Sequence, residues 1–125
     1  MSVPVPTAAL ADRIDAYGAV AYVLTVDADG RPHSVSVPVV LEGDELVSQV
    51  GRTTAANAAA RPTVTYLWPP TAHDPSYALI VDGVATVATD DDGTGVLRVA
   101  PTRAVQHRQA DADPTGPSCI TVGDS

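Results

Sequence analysis

The feature that most limits what this chain can become is its punctuation. Clusters of Asp, Gly, Pro and Ser around residues 27–31, 42–45, 69–76 and 89–95 cut it into short runs rich in Val, Thr, Leu and Tyr. Such runs between turn signals read as strands. Six strands are expected this way, over residues 19–26, 32–41, 46–50, 63–68, 77–88 and 96–107. No long helix separates them, which disfavours parallel strands with helical crossovers and points to a mainly β, antiparallel barrel.

Two short helices complete the pattern. Thr7 is a natural N-cap for residues 8–17, where Leu10, Ile14 and Tyr17 recur at helical spacing and Gly18 follows as a C-terminal glycine. Residues 55–60 are Ala-rich, with Thr53 or Thr54 available to cap the first turn and Arg61-Pro62 to end the helix. In the second strand His33, Val35, Val37 and Val39 alternate with Ser34, Ser36, Pro38 and Val40, so one face is the more apolar. Pro38 has no N–H to donate, which places it at a sheet edge, a bulge or an opening. Gly83, near the middle of the fifth strand, signals a bulge or a close backbone approach.

At 125 residues the chain has room for one domain with a modest core. The ordered part is expected over about residues 7–108, with 109–125 loosely ordered. Its 7 basic residues are all Arg and stand against 15 acidic ones, for a net charge of −8. Nucleic acid and anionic membrane surfaces are therefore disfavoured as partners. Residues 1–7 lack the pattern of a signal peptide, and no apolar run approaches the roughly 18–20 residues that span a bilayer. Cys119 is the single cysteine, so no internal disulfide forms. A cytoplasmic location is the expectation.

The most suggestive local chemistry is Gly51-Arg52-Thr53-Thr54, at the expected start of the second helix. Unpaired N–H groups and the positive end of the helix dipole favour an anion there. A guanidinium can grip phosphate oxygens in two parallel bonds, and the hydroxyls add neutral donors. A plainer reading also stands, in which a threonine caps the helix and Arg52 is solvated. Net charge does not decide between them. Carboxylates beyond about 8 Å are largely screened, whereas an arginine at ~4 Å attracts an anion by roughly 1–4 kcal/mol.

Four stretches taken in order carry a resemblance: Asp29-Gly-Arg-Pro-His33 leading into Val37-Pro-Val39, Gly51-Arg-Thr-Thr-Ala-Ala-Asn57, Arg61-Pro-Thr-Val64, and Val81-Asp-Gly-Val-Ala85. Their order and spacing resemble the flavin-binding split β-barrel family related to pyridoxamine 5′-phosphate oxidase. The resemblance implies a six-stranded antiparallel split barrel with two short helices. It implies a homodimer with a cofactor in the groove between subunits, FMN or the deazaflavin coenzyme F-420. The phosphate would lie near Arg52, Thr53 and Thr54 with Asn57 alongside, and the ring beside Ser36, Val37 and Pro38. Tyr77 would approach from the other subunit. The activity implied is that of an oxidoreductase acting on a small-molecule substrate, with the cofactor carrying the hydride chemistry and no side chain serving as acid or base.

Thr54 stands where members of that family commonly carry lysine. A turn alone joins the last two strands where many members carry a helical insertion. These departures motivate an alternative, a cofactor-free dimeric barrel that binds or sequesters a small molecule, with haem binding as a third reading.

Other residues read as structural. Asp90-Asp91-Asp92-Gly93 lacks the alternating ligands and distal Glu of a calcium loop. His33, His73 and His107 lie far apart without metal-ligand spacing, so no metal site is expected. Asp27 and Asp82 have no histidine or nucleophile placed beside them and suit turn and edge roles. Ser118-Cys119 matches no nucleophile motif. Tyr66 and Trp68 suit the core or a dimer interface better than ring stacking.

Overall fold

The computed structural model describes residues 2–108. The expectation for residues 109–125, Ser118 and Cys119 included, lies outside the described residues. Within them, one antiparallel sheet is built from β1 (Ser2–Pro4), β2 (Val20–Val26), β3 (Pro32–Pro38), β4 (Val40–Glu42), β5 (Glu45–Val50), β6 (Thr63–Trp68), β7 (Tyr77–Thr89) and β8 (Gly95–Arg108). The hydrogen-bonded order is β3-β2-β6-β7-β8-β5-β4, with β1 added along β8. The sheet curls until β3 comes against β5, yet the two do not pair. That unpaired seam makes the barrel split.

The count of six is thus corrected to eight among the described residues. The two additions are three residues each. β1 is an exposed Ser-Val-Pro segment with no alternation to reveal it. β4 was merged with the second strand because the apolar alternation runs through Val39. The Val39 N–H still donates to the Ala19 carbonyl at 2.7 Å, in the β2–β3 register, and from Val40 the partner changes to β5, which separates β4 from β3.

The first helix also departs from expectation. Thr7 caps nothing with its side chain and instead opens a single 3-10 turn, Thr7–Ala9, that leads into α1 (Leu10–Tyr17). Leu10, Ile14 and Tyr17 are its buried face, and Gly18 closes it at φ 107°, donating its N–H to the Ile14 carbonyl at 2.8 Å. Left-handed backbone of this kind favours glycine.

The core follows the two-residue period of the strands. Val64, Tyr66 and Trp68 point inward from β6, Leu79, Val81 and Ala85 from β7, and Leu97 and Val99 from β8. Tyr66 and Trp68 are essentially inaccessible, which places both in the core. Their polar atoms are satisfied there: the Tyr66 hydroxyl and the Ser48 hydroxyl are 2.8 Å apart, and Trp68 Nε1 donates to the Gly18 carbonyl at 2.9 Å. Burial raises the Tyr66 pKa above the ordinary phenol value, with the Ser48 hydrogen bond opposing. At Gly83 both expectations hold. The β7–β8 register shifts between Asp82 and Gly83, and a Cβ there would sit 2.5 Å from Val99 Cγ1 and 2.6 Å from the Ala100 carbonyl oxygen.

Candidate functional site

The groove opens where strand pairing stops. β3 is hydrogen-bonded to β2 alone, so its second edge faces the seam, and Pro38 at its end fits the edge or opening expected of it. α2 (Arg52–Ala60) follows directly from β5 and closes one end of the barrel against β2, β7 and β8. Between these elements lies a cavity of about 370 Å³ lined by β3 from His33 to Pro38, by Gln49 and Val50 of β5, and by Gly51 to Thr54. Ser36, Val37, Pro38, Arg52, Thr53 and Thr54 are thereby brought together in one groove.

The helix start differs from the expected capping in an informative way. Gly51, in extended backbone, is the N-cap, and no side chain caps the helix. Thr53 and Thr54 sit inside the first turn, so capping does not consume their hydroxyls. Thr54 is 2% exposed and lines the groove, and its hydroxyl makes no hydrogen bond among the described residues. Arg31, Arg98 and Arg103 are each tied to a carboxylate, whereas Arg52, which is exposed, makes no ion pair among the described residues, and neither do Arg13 and Arg61.

Arg52 is nonetheless held. A Cβ built on Gly93, which has φ +88°, would lie 2.9 Å from Arg52 Cγ and 3.0 Å from Cδ, so the bare glycine of the β7–β8 turn lies against the arginine's aliphatic stem. The turn in which Gly93 sits is itself fixed by Asp92, which accepts from the Thr94 N–H at 3.0 Å and hydroxyl at 2.6 Å. Those bonds hold the Asp92 carboxyl below the usual carboxylate range, the Thr94 side chain contributing most. The short connection between β7 and β8 thus lies against the groove's cation.

Asn57 is placed away from the groove, and Tyr77, expected from the other subunit, does not line the groove of its own chain. Asn57 is buried under α2, where its amide donates to the Thr25 hydroxyl at 3.2 Å, and it does not line the groove. Tyr77 begins β7, paired with Arg108, while the groove lies at the end of the barrel where Val50 pairs with Gly95. The Tyr77 carbonyl accepts from the Tyr17 hydroxyl at 2.9 Å, and its ring is not among those lining this groove.

Sequence reasoning passed over His33, Gln49 and Gly93. His33 had a signal, being the single polar residue in the alternation His33, Val35, Val37, Val39. Its Nδ1 is buried and has no hydrogen-bond partner, the only buried side-chain nitrogen so left among the described residues. Gly93 had none, since a glycine in an Asp-rich turn needs no further reason. A larger cavity, about 500 Å³, lies between α1 and the β3–β4 junction, lined by Ala11, Ile14, Asp15 and Val39 to Leu41. Its one charged side chain is an acid, which suits it poorly to an anion.

No helix among the described residues is long and apolar enough to cross a membrane. No protein-family model matches the chain. Uncharacterized proteins of Mycobacterium bovis and Mycobacterium tuberculosis are each 44% identical to it, over 74% of this chain and 73% of the relative. Among solved structures, a protein named for pyridoxamine 5′-phosphate oxidase from Listeria innocua matches at TM-score 0.60 and 17% identity, over 76% of this chain and 95% of that one. An FAD-binding protein from Mycobacterium smegmatis matches at TM-score 0.61 and 19% identity, over 86% of this chain and all of that one. An F-420 reductase and a haem storage protein from Vibrio cholerae share the fold at TM-scores of 0.58 and 0.60. The chain belongs to one family with the two mycobacterial proteins, and its fold is the split barrel of the pyridoxamine 5′-phosphate oxidase type.

Proposed function

We propose that the groove between β3 and α2 holds a flavin-type cofactor, FMN or coenzyme F-420, by its phosphate, and that the protein is an oxidoreductase acting on a small molecule. The observation that carries this reading is the state of the α2 start: an arginine seated on Gly93 with no acid partner, beside a buried threonine with no hydrogen bond. Each is a donor left over by the fold, and a phosphate would use both. Bound flavin supplies the hydride chemistry. The chain's own part is to grip the anion with Arg52, Thr53 and Thr54, and to lay the exposed edge of β3 at Ser36, Val37 and Pro38 along the ring. That solved proteins of this fold bind FAD or haem, or act as an F-420 reductase, supports a cofactor in the groove without choosing among them.

The groove is open on one side, and the outer face of the sheet beside it is apolar. Val20 is 60% exposed, Tyr22 44% and Val84 46%, and Tyr22, Leu67 and Ile80 form one row across β2, β6 and β7. An apolar strip of this kind, separated from Val84 by the polar row of Thr65 and Asp82, suits burial against a second copy. We read the working form as a homodimer whose second subunit covers the groove and brings Tyr77 of the partner subunit toward the ring. Light scattering at micromolar concentration should report a dimer, and a monomer would contradict this.

The test of the cofactor reading is the absorption spectrum of the protein as purified, followed by titration with FMN and with coenzyme F-420. Binding of either that is weakened in Arg52→Ala supports it. A colourless protein that takes up neither overturns it in favour of a cofactor-free barrel, and a Soret band would assign haem instead.

A further inference from the structure

His33 stands out among the groove residues because nothing in the fold accounts for its position. The side chain is half-buried and lines the groove, and in the orientation it adopts its Nδ1 is buried with no hydrogen-bond partner. Its neighbours on the same face of β3, Val35 and Val37, show that an apolar residue would be accommodated there. A polar atom left unpaired where valine would serve calls for a partner that arrives from outside the chain.

The register indicates which part of a ligand that partner is. His33 pairs across β2–β3 with Thr25, and the Thr25 hydroxyl accepts from Asn57 of α2. His33 therefore stands at the α2 end of β3, in the same groove as Arg52, Thr53 and Thr54, and several residues along the strand from Pro38. The anion corner offers one guanidinium and two hydroxyls, which leaves most of a phosphate dianion's oxygen lone pairs unmatched. An imidazole N–H at this position adds a donor. The χ2 torsion of histidine is broad and roughly two-fold, and that freedom lets Nδ1 turn from its buried setting to an incoming oxygen.

We propose that His33 is a phosphate-positioning residue, donating from Nδ1 to the anionic end of the ligand that Arg52 grips. This rests on the cofactor reading above and adds to it a residue on the opposite wall of the groove. The prediction separates phosphate from ring. Wild-type protein is titrated with FMN and with riboflavin, which lacks the phosphate, and the ratio of the two affinities is compared among variants.

In Arg52→Ala the preference for FMN should largely disappear. In His33→Phe it should fall about 3- to 10-fold, the size of one hydrogen bond, with riboflavin binding unchanged. His33→Asn, whose amide nitrogen can stand near the place of Nδ1, should recover most of the preference. Equal weakening of FMN and riboflavin by His33→Phe would overturn the phosphate role while leaving the cofactor reading intact. So would an FMN preference unmoved in His33→Phe. Absence of FMN binding in the wild type would overturn the phosphate role, and absence of coenzyme F-420 binding as well would overturn the cofactor reading with it; FMN binding indifferent to Arg52 would overturn both. Unfolding curves for each variant keep loss of fold from being mistaken for loss of contact.

Discussion

The two sides of this barrel are built to different rules. Along β6, β7 and β8 the strands pair closely, side chains alternate in and out except about the register shift at Gly83, and the polar atoms of Tyr66 and Trp68 have found partners inside. Along the seam between β3 and β5 pairing stops, and among the described residues the fold leaves an unpartnered Nδ1 on His33, an unbonded hydroxyl on Thr54 and a guanidinium on Arg52 without an ion pair. The first side spends its chemistry on itself. The second holds chemistry in reserve, and a site for something else is the physical meaning of that reserve.

Perturbing each side should therefore show up in a different measurement. The largest effect belongs to Gly83→Ala on the paired side, where the new methyl meets Val99 and the Ala100 carbonyl well inside contact distance. Neither backbone nor a fully buried valine can step aside cheaply. A loss of about 3 kcal/mol is expected in urea unfolding, and a stability near wild type would mean that β7 and β8 are looser than drawn here.

Next comes Arg52→Ala on the open side. It should weaken FMN binding about 10- to 100-fold, the size of a charge-assisted pair, and change stability by less than about 0.5 kcal/mol. A large loss of stability without loss of affinity would reverse the roles assigned to the two sides.

Tyr66→Phe should cost about 1–2 kcal/mol, because the Ser48 hydroxyl is then buried without its partner. The same pair has a pH signature. The folded-state pKa of Tyr66 is raised, so its contribution is complete below the ordinary phenol value of about 10 and is lost as pH rises through the higher folded value. The alkaline fall in stability should be shallower in Tyr66→Phe.

Thr54→Val separates the sides at small amplitude. Removing an unbonded hydroxyl from a buried site should leave stability unchanged or slightly raised, while FMN affinity falls a few-fold. Smallest is the acid limb of the stability profile. Asp27 accepts from the backbone N–H groups of Arg31 and Asp29, and the Arg31 bond is the main reason its carboxyl is held low. Its contribution is present above the usual carboxylate pKa of about 4 and is lost as pH falls through the lower folded value. Asp27→Asn should flatten that limb.

How much could be read from sequence follows the same division. Strand positions on the paired side were legible because alternation is a local signal: residues 63–68 coincide with β6, and β7 and β8 differ from expectation only at their ends. Pro38 and Gly83 were legible because a missing N–H and a missing Cβ have few uses. β1 was not, since an exposed Ser-Val-Pro segment gains its strand character from β8 alone.

On the open side residue types announced the groove, and six of the eight expected site residues line it. What each side chain does with its hydrogen bonds was hidden. Asn57 is expected beside the phosphate from the resemblance alone, yet its amide is taken by Thr25, a residue 32 positions away. The hold of Gly93 on Arg52 likewise spans two elements that share no sequence pattern.

The claim beneath all of this is that the unpaired side is unpaired because a ligand completes it. An amide-detected NMR titration of the wild-type chain with FMN tests it most directly. The expected result is a set of shifts concentrated at residues 33–38 and 51–54, with the centres of β6, β7 and β8 unmoved. Shifts centred on the cavity between α1 and β4, or spread evenly over the sheet, would contradict it, as would a spectrum that neither FMN nor coenzyme F-420 changes.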